Sequence, residues 1–236
     1  MTTTDRSETS GTGLDRWSGG CWVAAGMLLP IGVLHPDIFE TTLADAALNS
    51  TLWVPMHAAG TVAVVLTLMG LTGLYARRAD LLGRLGAVGF ALAVPGLVMT
   101  GCVAYAEAIL LPVLARDNPA VFDWDGPVTT SWAVRLTAGL ALLWLVGLAL
   151  LGAALTRSGV LPTAAGLTLA GGAVAFVLFA GPLVPVLGPL ATLTLAAGYL
   201  LIGASLWTGA TSFRRAYTDL PNARSRSSAR GVKPGR

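Results

Sequence analysis

Four polar side chains lie inside or at the ends of long apolar segments of the chain: His35, His57, Glu107 and Arg135. An ionisable side chain at the centre of a membrane helix costs about 2.5–3.5 kcal/mol on insertion scales, so such residues tend to face the interior of the helix bundle. Histidine and glutamate exchange protons, and arginine pairs with carboxylates. These four residues are therefore the candidate members of a polar pocket.

Six apolar segments carry these side chains, and each is close to the roughly 20 residues that a helix needs to cross a bilayer. They cover residues 17–35, 52–76, 85–114, 132–156, 162–183 and 189–209. Only 11% of the residues are charged and 54% are hydrophobic, whereas soluble domains contain about 25% charged residues. The sequence predicts an all-α, polytopic membrane bundle of six transmembrane helices.

Two polar tails flank this bundle. Residues 1–16 are rich in Thr, Ser and Gly, and residues 210–236 are rich in Arg and Ser. Neither segment contains enough apolar surface to order itself, so both are predicted to be disordered. The basic C-terminal tail could bind anionic lipid at about 1 kcal/mol per basic residue, or its charge could do no more than fix the topology.

The distribution of charge predicts the orientation, because short loops rich in Lys and Arg stay in the cytoplasm. The second and fourth connections carry basic residues: Arg77, Arg78, Arg84 and Arg157. The first and third connections carry mainly acidic residues: Asp37, Glu40, Asp45, Asp117, Asp123 and Asp125, with Arg116. We therefore expect both termini to be cytoplasmic, in the inner membrane of a bacterial cell.

This topology places the four polar residues in the outer third of the membrane. At 1.5 Å per residue, His57 lies roughly 8 Å and Glu107 roughly 10 Å below the outer surface, with Arg135 nearby and His35 at the outer end of the first span. We expect Glu107 and Arg135 to form an ion pair between the third and fourth spans. We also expect His57 and Glu107 to line one externally accessible pocket, whose protonation changes near neutral pH because free histidine titrates at about pH 6.5.

Each residue also has a purely structural interpretation. His35 could satisfy the last carbonyls of its helix. Arg135 could extend its charge to the interface, and His57 could bond to a neighbouring backbone carbonyl. Glu107 is harder to explain in this way, since a buried carboxyl group must be either paired or protonated.

Common catalytic and cofactor motifs are missing from the sequence. It contains no C-x-x-C, H-E-x-x-H, G-x-x-x-x-G-K-S/T or G-x-S-x-G pattern, which are the usual signals for metal, nucleotide and hydrolase sites. We therefore predict no catalytic residue, no metal site and no cofactor, and an enzymatic role is disfavoured. The basic residues form no element that could enter a nucleic-acid groove, so the lipid bilayer is the only partner predicted.

Several short motifs resemble those of uncharacterised multi-pass membrane proteins of actinobacterial type. They are Leu34-His35-Pro36, Pro55-Met56-His57, Gly83-Arg84-Leu85-Gly86 with Gly89-Phe90, Glu107-Ala108 with Leu111-Pro112, and Ser158-Gly159-Val160-Leu161-Pro162. The resemblance covers most of residues 17–209. It implies a bacterial inner membrane and brings no activity with it.

Three classes of function are compatible with these features. The first is a small transporter or channel-like protein with a polar pocket near the outer face. The second is a structural, accessory or sensory membrane protein in which the polar residues only hold helices together. The third is a redox protein with a haem between His35 and His57, which their unequal predicted depths disfavour.

Overall fold

The computed structural model describes residues 3–35 and 42–218, with side chains described over 13–35 and 42–209. Within these ranges the α-helices are α1 (Thr3–Leu28), α2 (Leu43–Asn49), α3 (Trp53–Tyr105), α4 (Leu111–Asp117), α5 (Pro127–Thr130), α6 (Trp132–Ala141), α7 (Leu143–Ser158), α8 (Thr163–Ala175) and α9 (Leu187–Thr218). Two 3-10 segments, Leu29–Leu34 and Pro119–Phe122, follow α1 and α4, and two π-helical turns, Ala106–Leu110 and Phe176–Ala180, follow α3 and α8.

Five helical segments within the described residues are long and apolar enough to cross a membrane. They are Gly13–Leu34, Trp53–Asp117, Trp132–Ser158, Thr163–Ala180 and Leu187–Gly209. Many large apolar side chains on these segments are exposed on the outside of the bundle, among them Val62, Val88 and Leu193. A helix bundle with an apolar exterior is a membrane-embedded protein, as the composition predicts.

The second of these segments is far longer than one membrane crossing requires. It contains 65 residues, about three times the roughly 20 needed. Its helix is broken at Gly83, where φ is 59° and ψ is −160°, a conformation that glycine adopts without steric cost from a Cβ atom. This break divides α3 into an N-terminal arm (residues 53–82) and a C-terminal arm (residues 84–105). A Cβ on Gly101 would lie 3.3 Å from Val64, so the two arms run side by side.

The helices pack as a closed ring in the order in which they occur in the sequence. Helix α1 contacts the N-terminal arm of α3, the C-terminal arm contacts α7, α7 contacts α8, α8 contacts α9, and α9 contacts α1. Glycines lie where neighbouring backbones approach closely: Gly19 against Gly203, Gly89 against Gly147, Gly152 against Gly166, and Gly198 against Leu169. Small residues allow this close packing, which drives helix association where lipid removes the hydrophobic contribution.

One end of the ring, here called the arginine end, holds an ion pair between α1 and α3. An oxygen of Asp15 lies 2.7 Å from Nη1 of Arg78, and both side chains are largely buried. Helix α1 begins at Thr3, within residues 1–16, for which the sequence predicts a disordered tail. Asp15 lies in the same stretch and has a tertiary partner 63 residues away, which composition alone does not reveal.

The C-terminal tail is described only in part. Helix α9 continues to Thr218, so it extends past residue 210, where the sequence predicts the disordered tail to begin. The predicted tail from residue 219 onward, with its proposed contact to anionic lipid, lies outside the described residues.

The opposite end, here called the histidine end, carries a small cap of short helices. Helix α2 packs against α4 and against the 3-10 segment Pro119–Phe122. Together with the start of α3 they enclose a second apolar cluster, formed by Ala44, Ala46, Ala47, Trp53, Leu111, Ala115 and Phe122. The cap completely buries Trp53, which fixes the first turn of the N-terminal arm, where His57 lies.

Candidate functional site

The main polar contact at the histidine end joins the two arms of α3. Nε2 of His57 lies 3.3 Å from Oε2 of Glu107. His57 is buried, with 7% of its side chain exposed, whereas 35% of Glu107 is exposed. His57 belongs to the N-terminal arm, and Glu107 belongs to the π-helical turn that follows the C-terminal arm. The structure therefore brings together these two residues of the predicted pocket.

The π-helical turn explains how Glu107 is positioned. The backbone N–H of Leu111 donates to the carbonyl of Ala106, five residues earlier, whereas an α-helix would use the carbonyl of Glu107. The indole N–H of Trp53 donates to the carbonyl of Glu107 over 2.8 Å. A buried tryptophan thus satisfies a backbone group that the π turn leaves available, and turns of this kind occur often at functional sites.

The position of one proton follows from the contacts of His57. Its Nδ1 lies 2.8 Å from the backbone carbonyl of Trp53, and because a carbonyl can only accept, Nδ1 must carry a hydrogen. Nε2 then meets the carboxyl oxygen of Glu107, and this contact is favourable only if one proton lies between them. Either an imidazolium faces a carboxylate or a carboxylic acid donates to a neutral imidazole. In both cases the pair holds one shared proton and is neutral overall.

His35 joins the same cluster through its ring. Its centroid lies 5.4 Å from that of His57 and 5.6 Å from that of Trp53, both in edge-to-face geometry. The sequence predicts unequal depths for the two histidines, whereas the structure brings their rings into direct contact at the histidine end. The direct contact between the rings leaves no space for a haem between them.

Arg135 is not part of this cluster. Its side chain is exposed on α6, and its Nε donates to the carbonyl of Thr129 over 3.1 Å. Among the described residues, Glu107 forms its ion pair with His57 and none with Arg135. The expected Glu107–Arg135 ion pair is therefore wrong. Consecutive spans carry the two residues, but α6 directs the side chain of Arg135 away from the bundle interior, as is typical of an arginine that extends its charge to the interface.

His57 also lines a cavity of about 340 Å³ inside the ring of helices. Every helix of the ring contributes to its wall: α1 with its 3-10 segment, both arms of α3, α7, the π turn after α8, and α9. Its polar lining residues are His35, His57, Thr67, Thr100, Thr192 and Tyr199. The remaining lining is apolar and includes Met56, Val64, Leu97, Trp144 and Phe176. Lys, Arg, Asp and Glu do not occur among the described lining residues.

The threonine hydroxyl groups of this lining donate their protons to backbone carbonyl groups of the protein. Thr67, Thr100 and Thr192 each donate to the carbonyl four residues earlier, over 2.7, 2.9 and 3.0 Å. The phenol of Tyr199 also lines the cavity and is 1% exposed. A hydroxyl that has donated its proton still accepts through its lone pairs. The threonines therefore offer acceptors to the cavity.

Sequence reasoning missed Trp53, Thr67 and Tyr199. Trp53 precedes His57 by four residues, which places the two side chains on one helix face, and this spacing was the available signal. The direction of Tyr199 toward the cavity and the π turn at Glu107 have no comparable signal in the sequence.

Comparison with known proteins adds no family to this description. No family model, no curated protein and no solved structure matches the chain. Among residues 3–35 and 42–218, no group of three or more His, Cys, Asp or Glu side chains has the geometry to hold a metal ion. The resemblance to actinobacterial membrane proteins stays an interpretation of short motifs, and function must be argued from the cavity and its polar pair.

Proposed function

We propose that the protein is a small transporter or channel-like protein of the bacterial inner membrane, with a polar pocket near the outer face. The observation that carries this proposal is the cavity of about 340 Å³ at the centre of the ring, with His57 on its wall. Ligand sites are clefts or cavities of about 300–1,000 Å³, lined mainly by apolar side chains with a few polar groups. A cavity this large, lined by every helix of the ring, supports a binding role.

A structural, accessory or sensory role is the second candidate. The specific observation in its favour is that His57 and Glu107 connect the two arms of α3 directly, as a static hydrogen bond between helices would. That role gives no reason for a cavity of this size beside the pair. The two candidate roles differ in one property that an experiment can test, namely whether water-soluble molecules enter the cavity.

The proposal includes six membrane crossings with both termini in the cytoplasm. The break at Gly83 supports two crossings by α3, since its two arms run side by side. The basic residues Arg78, Arg84 and Arg157 lie at the arginine end, and acidic residues such as Asp45 and Asp125 lie at the histidine end. Positive charge favours the cytoplasmic side, so the histidine end faces outward in this proposal.

Cysteine labelling tests this orientation. In a background with Cys21 and Cys102 replaced by alanine, single cysteines at the exposed positions Asp45 and Asp125 should react with a membrane-impermeant thiol reagent in intact cells. A cysteine at Asp80, which is also exposed, should react only after the cells are permeabilised. Labelling of Asp80→Cys in intact cells, with no labelling of the other two, would reverse the orientation.

Access to the cavity is tested at Gly60, which lines it one turn from His57. A Cβ at this position meets no atom within 4 Å, so Gly60→Cys should fold normally and place its thiol in the cavity. We expect this thiol to react with the small neutral reagent methyl methanethiosulfonate in intact cells, because a hydrated thiol can ionise to the reactive thiolate.

Val62→Cys provides the matched control. Val62 follows Gly60 by two residues on the same helix, so its depth is similar, but it is 52% exposed on the outside of the bundle. A thiol facing lipid stays protonated and should react more slowly by about tenfold or more. Equal rates at the two positions would remove the support for a water-accessible cavity and leave the structural role.

A further inference from the structure

We infer that the cavity binds a small organic cation in exchange for the proton shared by His57 and Glu107. This inference rests on the proposed function and gives the chemical class of the ligand. It starts from the charges around the cavity. The described lining contains no Lys or Arg, and the carboxyl group of Glu107 is in direct contact with the lining residue His57.

The shared proton determines the charge of the site. With the proton present, His57 and Glu107 are neutral as a pair. When the proton leaves to external water, Nδ1 of His57 keeps its hydrogen because the carbonyl of Trp53 accepts it. The pair then consists of a neutral imidazole and a carboxylate, with a net charge of −1. A cation with a single positive charge in the cavity restores neutrality, so cation binding and proton binding compete.

The cavity wall favours an organic cation over an inorganic one. Calcium takes six to eight oxygen ligands, and magnesium demands near-octahedral geometry, whereas the polar atoms of this wall are few and spread over several helices. Trp144 and Phe176 lie edge to face with their centroids 6.0 Å apart, and the phenol of Tyr199 lies deeper. Aromatic faces attract ammonium groups, and the surrounding aliphatic side chains suit their alkyl substituents.

The hydroxyl groups of the cavity wall also favour a cationic ligand. Thr67, Thr100 and Thr192 have donated their protons to backbone carbonyls, so they present lone pairs to the cavity. Lone pairs are favourable near positive charge and unfavourable near an anion. The indole N–H of Trp144 and the phenol O–H of Tyr199 are potential donors on this wall, but neutral donors cannot balance the charge of an anionic ligand.

Within residues 13–35 and 42–209, few other titratable groups lie near the pair. His35 faces it from the end of the first span, and Tyr199 lies deeper in the cavity on α9. The packed cap contributes Asp45 on α2, and Arg116 and Asp117 on α4. Helices α7 and α8 contribute no titratable side chain to the described cavity wall. A pH dependence that disappears on substitution of Glu107 alone would therefore be assigned to the pair.

Binding of radiolabelled choline to the purified full-length protein in nanodiscs tests the inference. Choline carries a permanent charge, and 3,3-dimethylbutan-1-ol is its uncharged analogue of nearly the same shape. We expect choline to bind and the alcohol to compete at least about tenfold more weakly. The affinity for choline should rise with pH by up to about tenfold per unit, because one proton leaves for each cation that binds.

Two substitutions locate the site. Glu107→Gln can still donate an N–H to Nε2 of His57, so it preserves the contact between the arms but removes the exchangeable proton. We expect it to lower choline affinity at high pH by about tenfold or more and to abolish the pH dependence. Gly60→Trp, which fills the cavity, should abolish binding. Arg135→Gln is the matched control for a lost charge and should change neither property.

Several results would overturn the inference. They are equal affinity for choline and the alcohol, no binding of choline, binding that is unaffected by Gly60→Trp, and a pH dependence that survives Glu107→Gln. These failures are distinct from failure of the proposed function. If Gly60→Cys reacts with methyl methanethiosulfonate but choline does not bind, the accessible cavity stands and its ligand is of another class.

Discussion

Replacing Gly96 with alanine should strongly destabilise the bundle. Gly96 lies in the C-terminal arm of α3, where it meets α7, and a Cβ at this position would overlap the backbone of Leu143 and Trp144. A flexible side chain could move aside, but backbone atoms cannot unless the two helices separate. Overpacking a well-packed interior typically costs about 1–3 kcal/mol, and a clash with backbone should lie at or above the upper limit of that range.

Unfolding of purified Gly96→Ala in a mixed detergent, followed by circular dichroism, measures this effect. The matched control is Gly171→Ala, a glycine in the middle of α8 whose Cβ would meet no atom within 4 Å. Alanine has a higher helix propensity than glycine by about 1 kcal/mol, so the control should be unchanged or slightly more stable. Equal stabilities of the two variants would show that α3 and α7 do not pack as closely as described.

The apolar helices could be predicted from the sequence, and the limits of four predicted spans agree with the structure to within about four residues. The second and third predicted spans correspond to the single segment Trp53–Asp117. The period and length of the apolar runs carry this information, because a membrane helix must cross about 30 Å of hydrocarbon. The first span begins earlier in the structure than the sequence predicts. The added part carries Asp15, which pairs with Arg78, a contact between residues far apart in the sequence.

The polar site could be predicted only in part. Depth along each helix brought His57 and Glu107 to a similar level, and the hairpin formed by consecutive segments made them neighbours. The direction in which a side chain points around the helix axis is independent of its depth along that axis. Arg135 also lies near the histidine end, yet α6 directs it outward, where it bonds to the carbonyl of Thr129. A segment that is hydrophobic on all sides does not indicate which side of its helix faces the bundle interior. For this reason the Glu107–Arg135 ion pair was predicted wrongly.

The π-helical turn at Ala106–Leu110 is a part of the site that the sequence alone does not predict. One extra residue in that turn changes which carbonyl is free and rotates the carboxylate of Glu107. The turn is stabilised by the indole of Trp53, from the other arm of α3. Trp53 also accepts a hydrogen bond from His57 through its carbonyl, so a single residue positions both members of the pair. A contact of this kind follows from tertiary packing and not from local sequence.

The pair itself should contribute measurably to stability through its mutual contact. His57→Phe keeps a ring against Trp53 and His35, but leaves Glu107 without its partner. Glu107→Leu leaves Nε2 of His57 buried without a hydrogen bond. Glu107→Leu should cost about 1–3 kcal/mol, the usual penalty for an unsatisfied buried polar group. His57→Phe should cost less, because Glu107 is 35% exposed and water can solvate its carboxylate. The double variant should be less destabilised than the sum of the two by about 0.5–3 kcal/mol, as expected for residues in contact.

The two single variants and the double variant form a double-mutant cycle. This cycle has two internal controls, both measured by the same unfolding assay. Glu107→Gln should cost little, because its amide can donate to Nε2 of His57 in place of the shared proton. Arg135→Gln combined with Glu107→Leu should be additive to within about 0.5 kcal/mol, since the two residues make no contact. Additive losses for His57 and Glu107 would show that their 3.3 Å approach carries no coupling energy, whereas strong coupling between Glu107 and Arg135 would restore the ion pair that the sequence predicts. Only coupling confined to His57 and Glu107 agrees with a proton held between the two arms of α3.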